Sequence, residues 1–358
     1  MKKVLLTINN SRLSGIEMFT LLLSKYIDKS KYNVIVGIPT YGPFCKTLEE
    51  NEINYFIFNN KINEKHSLSG ILFLLKNILK NKYDIIHAQA GIVPCLIGKL
   101  TGTELVIEHK HGLDFTSEQI ENMNIIKMNY EKLKKYFVNF TFTGCEADKR
   151  TLIKKFNYSE NKVKVIYNGL EENVAGIVFK KNKKFTIGTI GRLTYQKAQE
   201  YFIQMAGILT GEGYDFEYHI YGEGELYNFY FDLIGKNNLS GKVILKGYTS
   251  NVSQSLKTFD VFVLPSRYEG IPYVLLEAMK EGVPIITTNV GGINEVIVNM
   301  KNGILVKKEN AVELTENIKT LFDSKDLREK LIKNALKDFK EKYTIEKTIK
   351  EIESVYSY

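Results

Sequence analysis

The sequence is poor in the features that mark secreted or membrane-embedded chains. It holds 3 cysteines, Cys45, Cys95 and Cys145. They are odd in number and far apart, so they supply neither a disulfide framework nor a zinc spacing. They read as buried, reduced thiols of a cytosolic protein. Only 6 prolines among 358 residues argue against long disordered linkers. No apolar run approaches the roughly 20 residues that a membrane helix needs. No signal peptide is expected, because Met1-Lys2-Lys3 runs directly into Val4–Ile8, which is too short for a signal core and patterned as a buried first strand. Zinc-finger spacing and glycine–aromatic RNA-binding motifs are missing as well, so nucleic acid is not an expected partner. These absences leave a cytoplasmic, globular protein.

The residues that are present fit that class. Hydrophobic residues make up 44% and charged residues 25%, over a length that suits two domains of ordinary size. The net charge of +8 is unevenly spread: through Asn168 there are 24 Lys and Arg against 16 Asp and Glu, and beyond it 25 against 25. All of the excess lies in the first half, which predicts an anionic partner for one domain.

Short apolar runs alternate with amphipathic stretches. Val4–Ile8, Tyr32–Ile38, Tyr55–Phe58, Tyr83–His87, Leu105–Glu108 and Phe137–Thr141 read as strands. Helical patterns follow from about Glu17 to Asp28, Pro43 to Glu52 and Leu68 to Lys80. The pattern restarts with Phe185–Ile190, Tyr214–Tyr221, Val243–Leu245, Val261–Leu264 and Pro284–Thr287. Strands alternating with helices imply parallel sheets covered on both faces. The reading is α/β, with two doubly wound Rossmann-like domains, 1–168 and 169–340, facing a central cleft. Glu171–Lys184 is the candidate linker. A last helix within 341–358, with Ile345, Ile349, Ile352 and Val355 in register, is expected to pack back on the first domain. In such sheets ligands sit beyond the carboxyl ends of the strands.

Two stretches of the second half carry candidate chemistry. Ser266-Arg267-Tyr268-Glu269-Gly270-Ile271-Pro272 follows the strand Val261–Leu264 and leads into a helix holding Glu277. The free N–H groups and positive dipole of that helix start suit an anion, with one carboxylate on either side for hydroxyl groups. Gly191-Arg192-Leu193-Thr194-Tyr195-Gln196-Lys197 follows another strand, and an Arg and a Lys there could hold two phosphates. From spacing alone, both sets are also compatible with solvated acids and ordinary surface cations.

Taken together these segments resemble the donor domain of retaining glycosyltransferases of the GT-B fold, in the group that carries an E-x7-E motif. Glu269 and Glu277 have that spacing, and Gly282-Val283-Pro284-Ile285-Ile286 and Gly291-Gly292-Ile293-Asn294-Glu295-Val296-Ile297 match the run that follows. Lys246-Gly247-Tyr248 stands where the loop on the base side is expected. The resemblance spans nearly the whole chain and is most specific from Gly188 to Gly303. It implies a nucleoside-diphosphate-sugar as co-substrate and no other cofactor. It gives Arg192 and Lys197 the pyrophosphate, Gly270 and Ile271 backbone N–H groups for the phosphates, Gly247 a place in the donor site, Glu277 the ribose and Glu269 the transferred sugar. No Asp-x-Asp motif is present, so no metal is expected. Ala198 stands where the family often has glycine.

In the first half, Ser14-Gly15-Ile16-Glu17 resembles the family's glycine pair followed by a hydrophobe and Glu. Ser14 replaces the first glycine and is a candidate cap for the next helix. Val106-Ile107-Glu108-His109-Lys110-His111-Gly112 resembles the strand that carries the active-site histidine; register favours His111 over His109, while His87 reads as a strand end. The implied acceptor is a saccharide or lipid-linked saccharide of a surface-polysaccharide pathway. Rival readings are a non-catalytic GT-B partner subunit, an epimerase and a phosphorylase. Lys127, Lys132, Lys134 and Lys135, interleaved with Ile125, Ile126, Met128, Tyr130, Leu133 and Tyr136, suggest docking on the anionic inner face of the cell membrane. The competing reading of that stretch is an amphipathic core helix with a solvated basic face.

Overall fold

A computed structural model describes residues 1–59, 67–113, 115, 117–172 and 184–357, the side chains of 117 and 118 excepted. The chain divides into two compact units, Met1–Gly169 with Ile345–Tyr358, and Leu170–Thr344. The linker expected at Glu171–Lys184 falls mostly outside the described residues.

The first unit is built on seven parallel strands, β1 (Lys2–Thr7), β2 (Tyr32–Ile38), β3 (Tyr55–Ile57), β4 (Ile85–Ala88), β5 (Leu105–Lys110), β6 (Phe140–Thr143) and β7 (Val163–Val165). Their order is β3-β2-β1-β4-β5-β6-β7. The helices between them are α1 (Gly15–Tyr26), α2 (Pro43–Glu50), α3 (Leu68–Asn81), α4 (Val93–Leu100), α5 (Ser117–Glu121), α6 (Ile125–Lys134) and α7 (Glu146–Phe156). The chain steps from β1 to β2 in one direction and from β3 to β4 in the other. Right-handed crossovers therefore put α1 and α2 on one face of the sheet and α3, α4 and α6 on the other. The strand expected at Phe137–Thr141 lies at Phe140–Thr143 instead, because Lys135–Phe137 prolongs α6 as a 3₁₀ turn.

The second unit has six parallel strands, β8 (Thr186–Ile190), β9 (Glu217–Tyr221), β10 (Val243–Gly247), β11 (Val261–Leu264), β12 (Ile285–Thr288) and β13 (Ile304–Val306), ordered β10-β9-β8-β11-β12-β13. Its helices are α8 (Gln199–Gly211), α9 (Tyr227–Lys236), α10 (Val252–Leu256), α11 (Tyr273–Lys280), α12 (Ile293–Val296), α13 (Ala311–Asp323) and α14 (Lys325–Lys342). Phe202, Tyr218, Val261, Ile286 and Leu314 belong to one buried core joining sheet and helices. Two short strands, β7 and β13, were not among the strands read from the sequence. Each has only three residues.

The last helix, α15 (Ile345–Tyr356), belongs to the first unit. Ile345, Ile349, Ile352, Val355 and Tyr356 are buried on it, and Thr348 Oγ1 donates to the Tyr167 carbonyl at 2.9 Å. The division expected after residue 340 lies at Thr344, since Leu170 N donates to the Tyr343 carbonyl at 3.0 Å and holds that segment in the second unit.

Candidate active site

In the second unit the strand order reverses between β8 and β11, the place where open parallel sheets leave a crevice at their carboxyl ends. The loop Gly191–Lys197 leaves β8 and the loop Ser266–Pro272 leaves β11, so both candidate stretches meet at this switch point. Lys197 Nζ lies 2.5 Å from Glu269 Oε1, with the two side chains 12% and 6% exposed. Ser266 Oγ donates to the same oxygen at 2.7 Å, and Gln196 Nε2 reaches Glu269 Oε2 at 3.3 Å and the Tyr268 carbonyl at 3.0 Å. Ser266 is itself held by Thr288, whose Oγ1 donates to its carbonyl at 2.6 Å. The Glu269 carboxylate is thus fixed by three neighbours before any ligand arrives.

Arg267 ties the two loops together. Its backbone N–H donates to the Gln196 carbonyl at 2.8 Å, and Nη1 donates to the Tyr195 carbonyl at 2.7 Å. The guanidinium pairs with Glu200 and Glu309 at 2.6 Å each and lies 4.0 Å from the centre of the Tyr195 ring. Gly291 completes the cradle. It adopts φ +52°, and a Cβ there would stand 1.8 Å from the Glu269 carbonyl oxygen, which accepts from Gly292 N at 3.1 Å. Only glycine lets the two chain segments approach so closely.

Arg192 is exposed on the loop after β8. Gly247 ends β10 at φ +71° and accepts from Gly222 N at 2.8 Å, so the β9 and β10 loops are joined beside the same crevice. Gly270 is part-exposed, Ile271 is buried, and Pro272 caps α11 in extended conformation. Glu277 follows just over one turn into α11. Burial raises its carboxyl to about 7, with Lys280 opposing and Glu281 reinforcing the shift. One turn earlier, the buried Tyr273 hydroxyl has no hydrogen-bond partner among the described residues. Ala198 takes φ +53° at the start of α8, a left-handed position at which glycine would be unstrained.

In the first unit the candidates again gather at strand ends. His111 follows β5, and its Nε2 donates to Gln89 Oε1 at 2.8 Å, Gln89 following β4. The His109 ring lies 4.0 Å from His111, and His87 lies 5.4 Å from His109, both nearly parallel. Phe19 of α1 packs edge-on against His111 at 4.8 Å. Burial holds His87 and His111 down to about 3 and His109 well below its usual range, so all three are neutral at pH 7. His109 is inside the core, and His87 shares a 2.6 Å hydrogen bond with Tyr356. Ser14 precedes α1, but its hydroxyl donates to the buried Glu17 carboxylate and caps no helix N–H, contrary to the expected cap. Burial raises Glu17, with the Ser14 bond working against it. Glu17 therefore belongs to the arrangement around Ser14 and Gly15, as Gln196, Ser266, Arg267 and Gln89 belong to theirs. The sequence offered only polar residues near a motif as a signal for these.

The two units, each a parallel sheet with helices on both faces, have the arrangement of the GT-B class. Residues 171–338 match the family model of glycosyl transferases group 1, and residues 13–174 match that of glycosyltransferase family 4. The chain belongs to this glycosyltransferase family, whose members move sugars from nucleotide sugars. It is 26% identical to the UDP-Gal:alpha-D-GlcNAc-diphosphoundecaprenol alpha-1,3-galactosyltransferase of Escherichia coli, over 96% of this chain and 94% of that one. It is 27% identical to the capsular polysaccharide biosynthesis glycosyltransferase CapM of Staphylococcus aureus, over 81% of each. Among solved structures, Anabaena HepE in complex with UDP-glucose is similar with a TM-score of 0.84 at 19% identity, covering 100% of both chains. Among the described residues, no helix is long and apolar enough to cross a membrane.

Proposed function

We propose that the protein transfers a sugar, with retention at the anomeric carbon, from a nucleoside-diphosphate sugar to a hydroxyl of a lipid-linked saccharide in surface-polysaccharide assembly. The observation that carries the donor half is the contact of Lys197 with Glu269 at the switch point, beside the start of α11. A pyrophosphate laid over that helix start meets the positive end of the helix dipole, with Gly270 and Ile271 leading in. Arg192, exposed and uncommitted to the Glu269 cluster, closes on the phosphates, and Lys197 shares its charge between them and Glu269. Such preorganised cations stabilise the departing nucleoside diphosphate, the work a metal does elsewhere, so turnover needs no divalent ion. Glu277 receives the ribose hydroxyls, Glu269 the transferred sugar, and Gly247 lies on the base side. Neutral His111, its Nε2–H held by Gln89, is left with Nδ1 to accept a hydrogen bond near the acceptor. Ser14 and Gly15 line the same end of the first sheet.

The lipid-linked acceptor is supported by the Escherichia coli relative, whose name carries a diphosphoundecaprenol acceptor. A thermal-shift screen against nucleoside diphosphates and their sugars, with UDP and UDP-hexoses first, tests the donor half. A ligand bound to the native state raises the melting temperature. No shift with any of them would overturn the reading. Incubation with the responsive sugar and a diphosphoprenyl saccharide then tests the acceptor, and activity surviving excess chelator tests the metal.

A further inference from the structure

We infer that the layer of the first unit formed by α3, α4 and α6 is a docking face for an anionic lipid bilayer. The inference rests on the first unit alone and does not depend on the transfer reaction. These three helices adjoin one another on one side of the sheet, α3 beside α4 and α4 beside the turn that ends α6. Each turns apolar side chains outward. On α3, Leu74 and Ile78 pack inward, Leu72 and Leu79 are exposed on the far side, and the half-exposed Phe73 stands at the flank against Phe56. Leu100 at the end of α4 is 77% exposed.

On α6 the usual polarity is reversed. Its buried residue is Glu131, which pairs with Lys134 at 2.6 Å and lies 3.9 Å from Lys110. Ile126, Tyr130 and Leu133, one helical stripe at i, i+4 and i+7, face outward, with Ile126 79% exposed. A core helix with a solvated basic face, the other reading of this stretch, would bury that stripe. An inward ion pair has freed the apolar face instead. Contiguous exposed apolar surface on neighbouring helices marks a contact surface.

Charge selects the occupant. α3, α4 and α6 together carry six lysines and one glutamate, and that glutamate is the buried one. The layer on the other side of the sheet, α1 and α2 with α15 beside α1, carries four lysines and six glutamates. The excess positive charge of the first half is therefore concentrated on the face that also exposes leucine, isoleucine and tyrosine. Apolar stems at the depth of acyl chains with lysines at headgroup level is the chemistry of a bilayer interface. A second copy of this chain docked through the same patch would set lysines against lysines.

The test is co-sedimentation of the full chain with vesicles, without donor or acceptor, so its outcome is separate from that of the transfer assay. Vesicles of phosphatidylcholine alone are compared with vesicles containing about a third phosphatidylglycerol, where each lysine contributes about fivefold to partitioning. Binding is expected only to the anionic vesicles, falling as salt rises. Lys76→Glu with Lys80→Glu should reduce it by about 25-fold or more. Ile126→Ser with Leu133→Ser should reduce it by about tenfold. Lys46→Glu with Lys350→Glu, on the opposite layer, should change it by less than about twofold. All these positions are exposed, and circular dichroism verifies folding. Equal binding to both vesicle types, binding to neither, or an equal loss in the opposite-layer pair overturns the proposal. So does self-association without vesicles that Ile126→Ser with Leu133→Ser abolishes, which would assign the face to a second copy.

Discussion

Lys197 and Glu269 form a nearly buried ion pair, so in the proposed site one contact would bear on stability and turnover together. Removing one partner of a buried ion pair leaves the other charge uncompensated, at a cost of about 3–5 kcal/mol. Lys197→Ala and Glu269→Ala are therefore expected to lower the melting temperature as well as turnover, and the double variant should lose less than the sum of the two. Arg192 is exposed, so Arg192→Ala should leave the melting temperature close to the parent while kcat/KM falls by about 10²-fold. Near-normal kcat/KM in that variant would remove Arg192 from the clamp. Glu277 adds a pH dependence. In the proposed site ribose hydroxyls donate to the Glu277 carboxylate, so nucleoside diphosphate binding would need the deprotonated acid. With its carboxyl raised to about 7, affinity should be full above that pH and fall as pH drops below it. Calorimetry across pH 5.5–8.5 with UDP, at roughly tenfold loss per unit in the limit, checks this, and Glu277→Gln should flatten the profile.

Among the elements, β4, β5 and the residue after β5 carry the histidines and α11 carries Glu277, and they respond to pH with opposite signs. His87 and His111 are held at about 3, below their unfolded value of 6.5. The unfolded chain then binds more protons between those values, so the first unit loses stability as pH falls below 6.5. Glu277 is raised from 4.5 to about 7, so the native state binds the extra proton and the second unit loses stability as pH rises through that window. Hydrogen exchange followed by mass spectrometry should show protection of β4 and β5 falling first as pH drops from 6.5 toward 4.5. Earlier loss in β8 and β11 would contradict the assignment. The cause is the packing of the imidazoles between Phe19 and Phe142, which costs an imidazolium much of its hydration.

For the whole molecule, the path of the chain matters as much as its site. It leaves the first unit at Gly169 and returns to it at Ile345. The returning α15 buries Ile345, Ile349, Ile352, Val355 and Tyr356. At about 2 kcal/mol for each large apolar side chain, they contribute as much as the entire stability of an ordinary domain. Truncation after Thr344 should unfold the first unit and leave the second able to bind nucleoside diphosphate. Loss of the near-native melting transition together with retained UDP binding by calorimetry is the expected result. Loss of both would show that the two units do not fold independently.

The sequence by itself determined the element types, the two-unit division and the family. Each rests on local pattern: apolar runs such as Val261–Leu264, the spacing of Glu269 and Glu277, the helix start after Pro272, and the four aliphatic positions of α15. It also located the charge excess before Gly169. Tertiary structure alone decided which of these residues touch. That Lys197 meets Glu269 across 72 positions, that Arg267 clamps the loop carrying Gln196, and that His87, His109 and His111 stack in one core follow from strand order, which no local pattern encodes. The same holds for α6. Its spacing is amphipathic either way, and only the pairing of Glu131 with Lys134 beside Lys110, inside the fold, turns the apolar stripe out toward solvent. A helix's periodicity defines two faces; which of them is buried depends on the partners that packing brings to it.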